Sequence, residues 1–139
     1  MEKELEFIDT NIIIYAEDSH TDKHDAASKV LDKIINEGRA VASIQTLVEA
    51  SSVLGRNGFS ADERNRIISS YAKVIPILKY GLDEILIANK ISDEAHMPFY
   101  DALIAATMNL NGITRIVTEN ERDFRNLSWI KIINPFRKQ

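Results

Sequence analysis

Five short apolar runs, each followed by polar or helix-patterned chain, constrain this 139-residue sequence more than any other feature. They lie at residues 5–8, 39–42, 74–77, 114–118 and 131–133. Strands separated by helices cannot close as hairpins. They need right-handed crossovers, which set the strands parallel in a sheet covered by helices on both faces. The order reads β-α-α-β-α-α-β-α-α-β-(α)-β. The expected fold is therefore a three-layer α/β/α domain with a mainly parallel central sheet of about five strands.

Helix punctuation supports this division. Asp9-Thr10-Asn11 supplies capping groups ahead of Ile12–Tyr15, and Ala27, Val30, Leu31, Ile34 and Ile35 follow at helical spacing up to Gly38, where a C′ glycine belongs. Ser43 heads a third helix with an apolar face of Ile44, Leu47, Val48, Ser51 and Leu54. Ser60 and Glu63 have the spacing of a capping box. Pro76 places the third strand at a sheet edge or at its own terminus, because proline has no N–H to donate. Leu82, Ile85, Ala88, Asn89 and Ser92 line the next helix. Pro98 opens another that runs to Asn111-Gly112, and residues 119–127 form a polar connection or a short helix.

Composition narrows the class. Hydrophobic residues at 45% and charged residues at 27% fit one globular domain over 1–139, large enough to bury a core without staples. The absence of cysteine removes thiol catalysis, disulfide scaffolds and cysteine metal sites. No apolar stretch is long enough to cross a bilayer, and the MEKELEF start lacks the pattern of a signal peptide, so a cytoplasmic protein with no membrane partner is expected. The net charge of −4 does not attract nucleic acid as a bulk field. Residues 115–139, however, carry six basic against three acidic side chains, leaving −7 on the rest.

In an open α/β sheet, sites form beyond the carboxyl ends of the strands where strand order reverses. Asp9, Thr10 and Asn11 follow the first strand; Thr118, Glu119 and Asn120 follow the fourth. Asp101 falls in the first turn of the helix before that strand, and Glu49 lies beside the apolar stripe of the third helix. A carboxylate next to a core-facing stripe is costly unless paired, and three of them suggest a shared cluster. Either some of them are protonated or a hard divalent cation, Mg²⁺ or Mn²⁺, neutralises the cluster, and a cation site of that kind suits hydrolysis of phosphodiesters.

The segments IDTNIIIYA (8–16), QTLVEASSVL (45–54), FYDALIAATM (99–108), IVTENERDF (116–124) and IKIINP (130–135) together resemble the PIN domain family, in particular its small VapC-type toxins. The resemblance implies a metal-dependent ribonuclease, a homodimer, and inhibition by a cognate VapB-type antitoxin. It places Asp9, Glu49 and Asp101 at the family's metal-binding acids and Thr10 at the hydroxyl that supports them, with Asn11 and Thr118 beside them. Asn120 falls where many members have a fourth aspartate. Its amide oxygen can ligate Mg²⁺ or orient water without adding charge, leaving Glu119 or Asp123 to supply an extra carboxylate. Arg122 and Arg125 are candidates for contacting substrate RNA.

Each feature also has a plainer reading. Asp9 can simply cap a helix, Asp101 can interact with a helix dipole, and Glu49 can pair with Arg56. His20 and His24 have i, i+4 spacing, but without a third histidine nearby they read as a solvated helix start rather than a zinc site. Signatures of P-loop, dinucleotide-binding and nucleophile-elbow proteins are missing. Two other functions stay open: a PIN nuclease of RNA processing or decay, and a PIN-fold module that binds RNA or protein without cutting.

Overall fold

The computed structural model describes residues 4–137. Glu2 of the N-terminal segment and Lys138 of the basic C-terminal set lie outside the described residues. The strands are β1 (Glu6–Ile8), β2 (Ala40–Ser43), β3 (Ile77–Leu78), β4 (Arg115–Val117) and β5 (Lys131–Ile133). Between them lie α1 (Thr10–Glu17), α2 (His24–Asn36), α3 (Ile44–Arg56), α4 (Ala61–Val74), α5 (Leu82–Ala95), α6 (Phe99–Leu110) and α7 (Glu121–Phe124). All strand pairs are parallel, in the order β3-β2-β1-β4-β5. The chain thus builds outward from β1 to β3, then returns to the other side of β1 with β4.

Period-two alternation sorts the strand side chains onto two faces. Ile8, Ala40, Ala42 and Val117 join Ile12, Ile13, Leu31, Ile34 and Leu54 of α1–α3 in one core. Phe7, Val41 and Ile116 join Ile104 and Met108 of α6 and Phe124 of α7 in the other. Register follows from this sorting, with Phe7 opposite both Val41 and Ile116. α6 is buried from Ala102 to Met108 between the sheet and α5, where Ala102, Leu103 and Ala106 meet Ala88. Its N-terminus is thereby fixed at the carboxyl edge of the sheet.

The capping signals act as their chemistry dictates. Ser43 with Thr46 and Ser60 with Glu63 form reciprocal capping boxes. Gly38 takes φ 70° after α2, and the Gly38 and Arg39 amides return to the carbonyls of Ile35 and Ile34 as a Schellman turn. The third strand departs from expectation. Helix α4 continues to Val74, and pairing starts only at Ile77. The Ile75 amide still bonds to the Tyr71 carbonyl, and Pro76 offers β2 only its carbonyl oxygen, which accepts from the Ala42 amide. The strand does lie at the sheet edge. The 119–127 connection contains the short helix α7.

Candidate active site

β1 and β4 are neighbours at the point where strand order reverses, so the residues that follow them meet. Asp9 is 6% exposed and caps α1, its Oδ1 accepting from the Thr10 amide at 2.8 Å. Its Oδ2 accepts from Thr118 Oγ1 at 2.7 Å and from Asn11 Nδ2 at 3.2 Å. Thr118 Oγ1 in turn accepts from the Asn120 amide and from Asn11 Nδ2, while Asn11 Oδ1 accepts from the Glu119 amide. Burial pushes the Asp9 carboxyl above its usual range despite these three donors. Capping is therefore only part of what Asp9 does.

Asp9, Glu49 and Asp101 line one pocket of about 340 Å³ with Thr10, Asn11 and Asn120, and Ile14, Tyr15 and Val53 add an apolar wall. Burial, with repulsion from Asp9 and Asp123, raises the Asp101 carboxyl to about 7, although Asn120 Nδ2 donates to Asp101 Oδ2 at 3.2 Å. Glu49 is half-buried, and its carboxyl is raised first by burial and then by Asp9, against a hydrogen bond from Gln45 Nε2 at 2.7 Å. Arg56 donates to Ser52 rather than pairing with Glu49. Thr10 Oγ1 is buried on this wall without a hydrogen-bond partner.

Asp9 repels both Glu49 and Asp101, and these carboxyl groups with the unpartnered Thr10 hydroxyl are oxygen donors of the kind a hard divalent cation takes. Among the described residues, no three His, Asp or Glu side chains stand close enough together to hold a metal ion as they are placed here. The pocket brings the three acids together without joining them.

The remaining candidates separate by position. Asn120 lines the pocket, but its oxygen accepts from the Asp123 amide and caps α7, so the amide nitrogen is the group turned to Asp101. Asp123 acts on the pocket through Asp101. The Glu119 carboxylate is engaged elsewhere than with the three acids: Tyr15 Oη and Lys23 Nζ each donate to it at 2.6 Å. Arg122 and Arg125 are exposed on and just after α7. His24 Nδ1 contacts the Tyr15 carbonyl oxygen, and His20 is exposed beside Asp18, so the pair forms no joint site.

The sequence model of the PIN domain family matches residues 7–130. The chain belongs to the PIN domain family. No curated protein matches it in sequence. Among solved structures, a toxin–antitoxin complex from Klebsiella pneumoniae has 19% identity and a TM-score of 0.73, over 96% of this chain and 99% of that one. DNA-bound VapBC from Salmonella typhimurium has 21% identity and a TM-score of 0.71, over 94% and 98%. A sarcin–ricin-loop-cleaving VapC toxin of Mycobacterium tuberculosis has 20% identity and a TM-score of 0.62, over 79% and 85%. At these identities the likeness is one of fold. No helix among the described residues of this PIN domain is long and apolar enough to cross a membrane.

Proposed function

We propose that this PIN domain is a metal-dependent endoribonuclease of the VapC type, hydrolysing RNA phosphodiester bonds with Mg²⁺ or Mn²⁺ held by Asp9, Glu49 and Asp101. The observation that carries this reading is the meeting of three carboxyl groups and the unpartnered Thr10 hydroxyl on one pocket at the switch point of the sheet. Family membership supports a nuclease, and the toxin–antitoxin complexes among its fold neighbours support a toxin with a cognate VapB-type antitoxin.

Bare carboxylates repel a phosphodiester, by about 4 kcal/mol per pair of charges 4 Å apart at an effective dielectric near 20. A bound divalent cation supplies the opposing charge, polarises the phosphate and lowers the pKa of a bound water. The chain's own residues prepare that site. Thr118, Asn11 and the Thr10 amide hold Asp9 in one orientation, and Asn120 steadies Asp101. Asp123 adds negative charge next to Asp101. Arg122 and Arg125, exposed close to β4, contact phosphates flanking the scissile one. The protein acts as a homodimer in the cytoplasm.

One observation favours a second reading, a PIN-fold module that binds without cutting: among the described residues, no three His, Asp or Glu side chains are placed so that they could hold a metal ion. The test is cleavage of a mixed structured RNA pool by antitoxin-free protein with Mg²⁺, Mn²⁺ or EDTA, comparing wild type with Asp101→Asn. Metal-dependent cutting that the variant lacks supports the nuclease. Folded wild type that cuts nothing in any metal supports the binding module.

A further inference from the structure

Gln45 occupies the first turn of α3, directly below Glu49 on the same helix face, and is 3% exposed. Its Nε2 donates at 2.7 Å to Glu49 Oε1 and at 2.9 Å to the carbonyl oxygen of Tyr100, the residue before Asp101. Both partners can only accept, so the amide nitrogen must be the atom facing them. Gln45 Oε1 is buried without a hydrogen-bond partner. Packing alone does not explain an amide here, since methionine has a similar shape and leaves no oxygen stranded. What the amide adds is two N–H groups aimed at two different elements.

We infer that Gln45 is a positioning residue of the pocket, holding the Glu49 carboxylate on the wall and tying it to the helix turn that carries Asp101. This rests on the metal-dependent reading above. Glu49 has a long side chain and is only half-buried, so without a tether it gains rotamers that point into solvent. One hydrogen of the Gln45 amide removes that freedom, while the other binds the first turn of α6. The spacing between two acids from different helices is thereby set by a single side chain. Partners of metal ligands act in this manner, and their loss typically weakens metal binding 10- to 100-fold.

The test is calorimetric titration of Mn²⁺ into antitoxin-free full-length protein: wild type, Gln45→Met, Gln45→Asn, and each of these carrying Glu49→Gln. Gln45→Met removes the amide at near-constant volume, and Gln45→Asn keeps it but withdraws it by one methylene. Each weakens Mn²⁺ binding about tenfold, and neither has a further effect once Glu49→Gln is present. A general loss of packing would act equally in both backgrounds, and that result overturns the inference. So does wild-type affinity in a folded Gln45→Met protein. If Gln45→Met does not fold, Gln45→Asn decides by the same criteria. Failure of the underlying reading looks different: wild type that binds no Mn²⁺, or binds it equally well with Glu49→Gln, overturns both.

Discussion

Thr118 Oγ1 donates a 2.7 Å hydrogen bond to Asp9 Oδ2, joining residues 109 positions apart. The contact exists because β1 and β4 lie side by side and parallel, so their carboxyl ends leave the sheet together. Thr118 is fully buried and accepts from the Asn120 amide as well. A single hydroxyl therefore orients the first acid of the pocket and the turn that leads into α7.

Thr118→Val keeps the shape and removes both the donor to Asp9 and the acceptor of the Asn120 amide. The variant is expected to lose about 1.5 kcal/mol of stability, the usual worth of a buried hydrogen bond to an acidic group. Cleavage falls with it, because Asp9 is left with Thr10 and Asn11 alone. Urea unfolding and an RNA assay on the same preparation check both effects.

Asp101→Asn separates the cost of the pocket from its use. The Asp101 carboxyl is pushed up by burial and by Asp9 and Asp123, so its charge destabilises the metal-free fold. The neutral amide is expected to raise Tm in EDTA at pH 8 by a few degrees. Saturating Mg²⁺ is expected to stabilise wild type, by about 2.7 kcal/mol at a hundredfold excess over Kd, and to leave the variant almost unchanged. Thermal melts with and without Mg²⁺ measure this.

Lys23 supports the site from outside. Burial raises the Glu119 carboxyl, but the hydrogen bonds from Lys23 and Tyr15 outweigh it and hold the group below its ordinary value. A carboxyl lowered in the folded state contributes stability above its unfolded pKa, near 4.3, and that stability is lost as pH falls through the folded value. The deficit of Lys23→Met against wild type should therefore be full at neutral pH and shrink below about pH 4. Both side chains are partly exposed, so it stays under about 1 kcal/mol. Stability measured across that pH range tests the sign.

Glu6 provides a control remote from the pocket. It is buried at the start of β1, paired with Arg39 and, at 3.9 Å, with Arg115. Glu6→Gln removes the buried one of Arg39's two carboxylate partners and leaves Glu37 at 2.6 Å, and is expected to cost about 1.5 kcal/mol. Mn²⁺ affinity measured well below the melting temperature stays at the wild-type value.

The three acids are legible because each carries a local mark: Asp9 follows a β strand, Asp101 opens α6, and Glu49 borders an apolar stripe. The layered fold was legible for a similar reason, since alternation of strand and helix patterns demands crossovers. Hydrogen-bond direction was not. Whether Asn120 presents oxygen or nitrogen to the pocket depends on the Asp123 amide, and the position of Glu119 depends on Lys23, 96 residues away. Gln45 reads in sequence as one more residue beside Glu49. Only the approach of α6 gives its second N–H a partner. The sequence pattern starts the third strand at Val74, inside α4, because apolar character alone does not distinguish the last turn of a helix from a strand when a proline follows.

The central claim is that the Asp9, Glu49 and Asp101 pocket is a cation site. Calorimetry of Mn²⁺ binding to antitoxin-free wild type and Asp9→Asn tests it most directly. Saturable binding by wild type that is abolished in a folded Asp9→Asn protein is the predicted result. Absence of binding by wild type, or undiminished binding by the variant, would contradict the account.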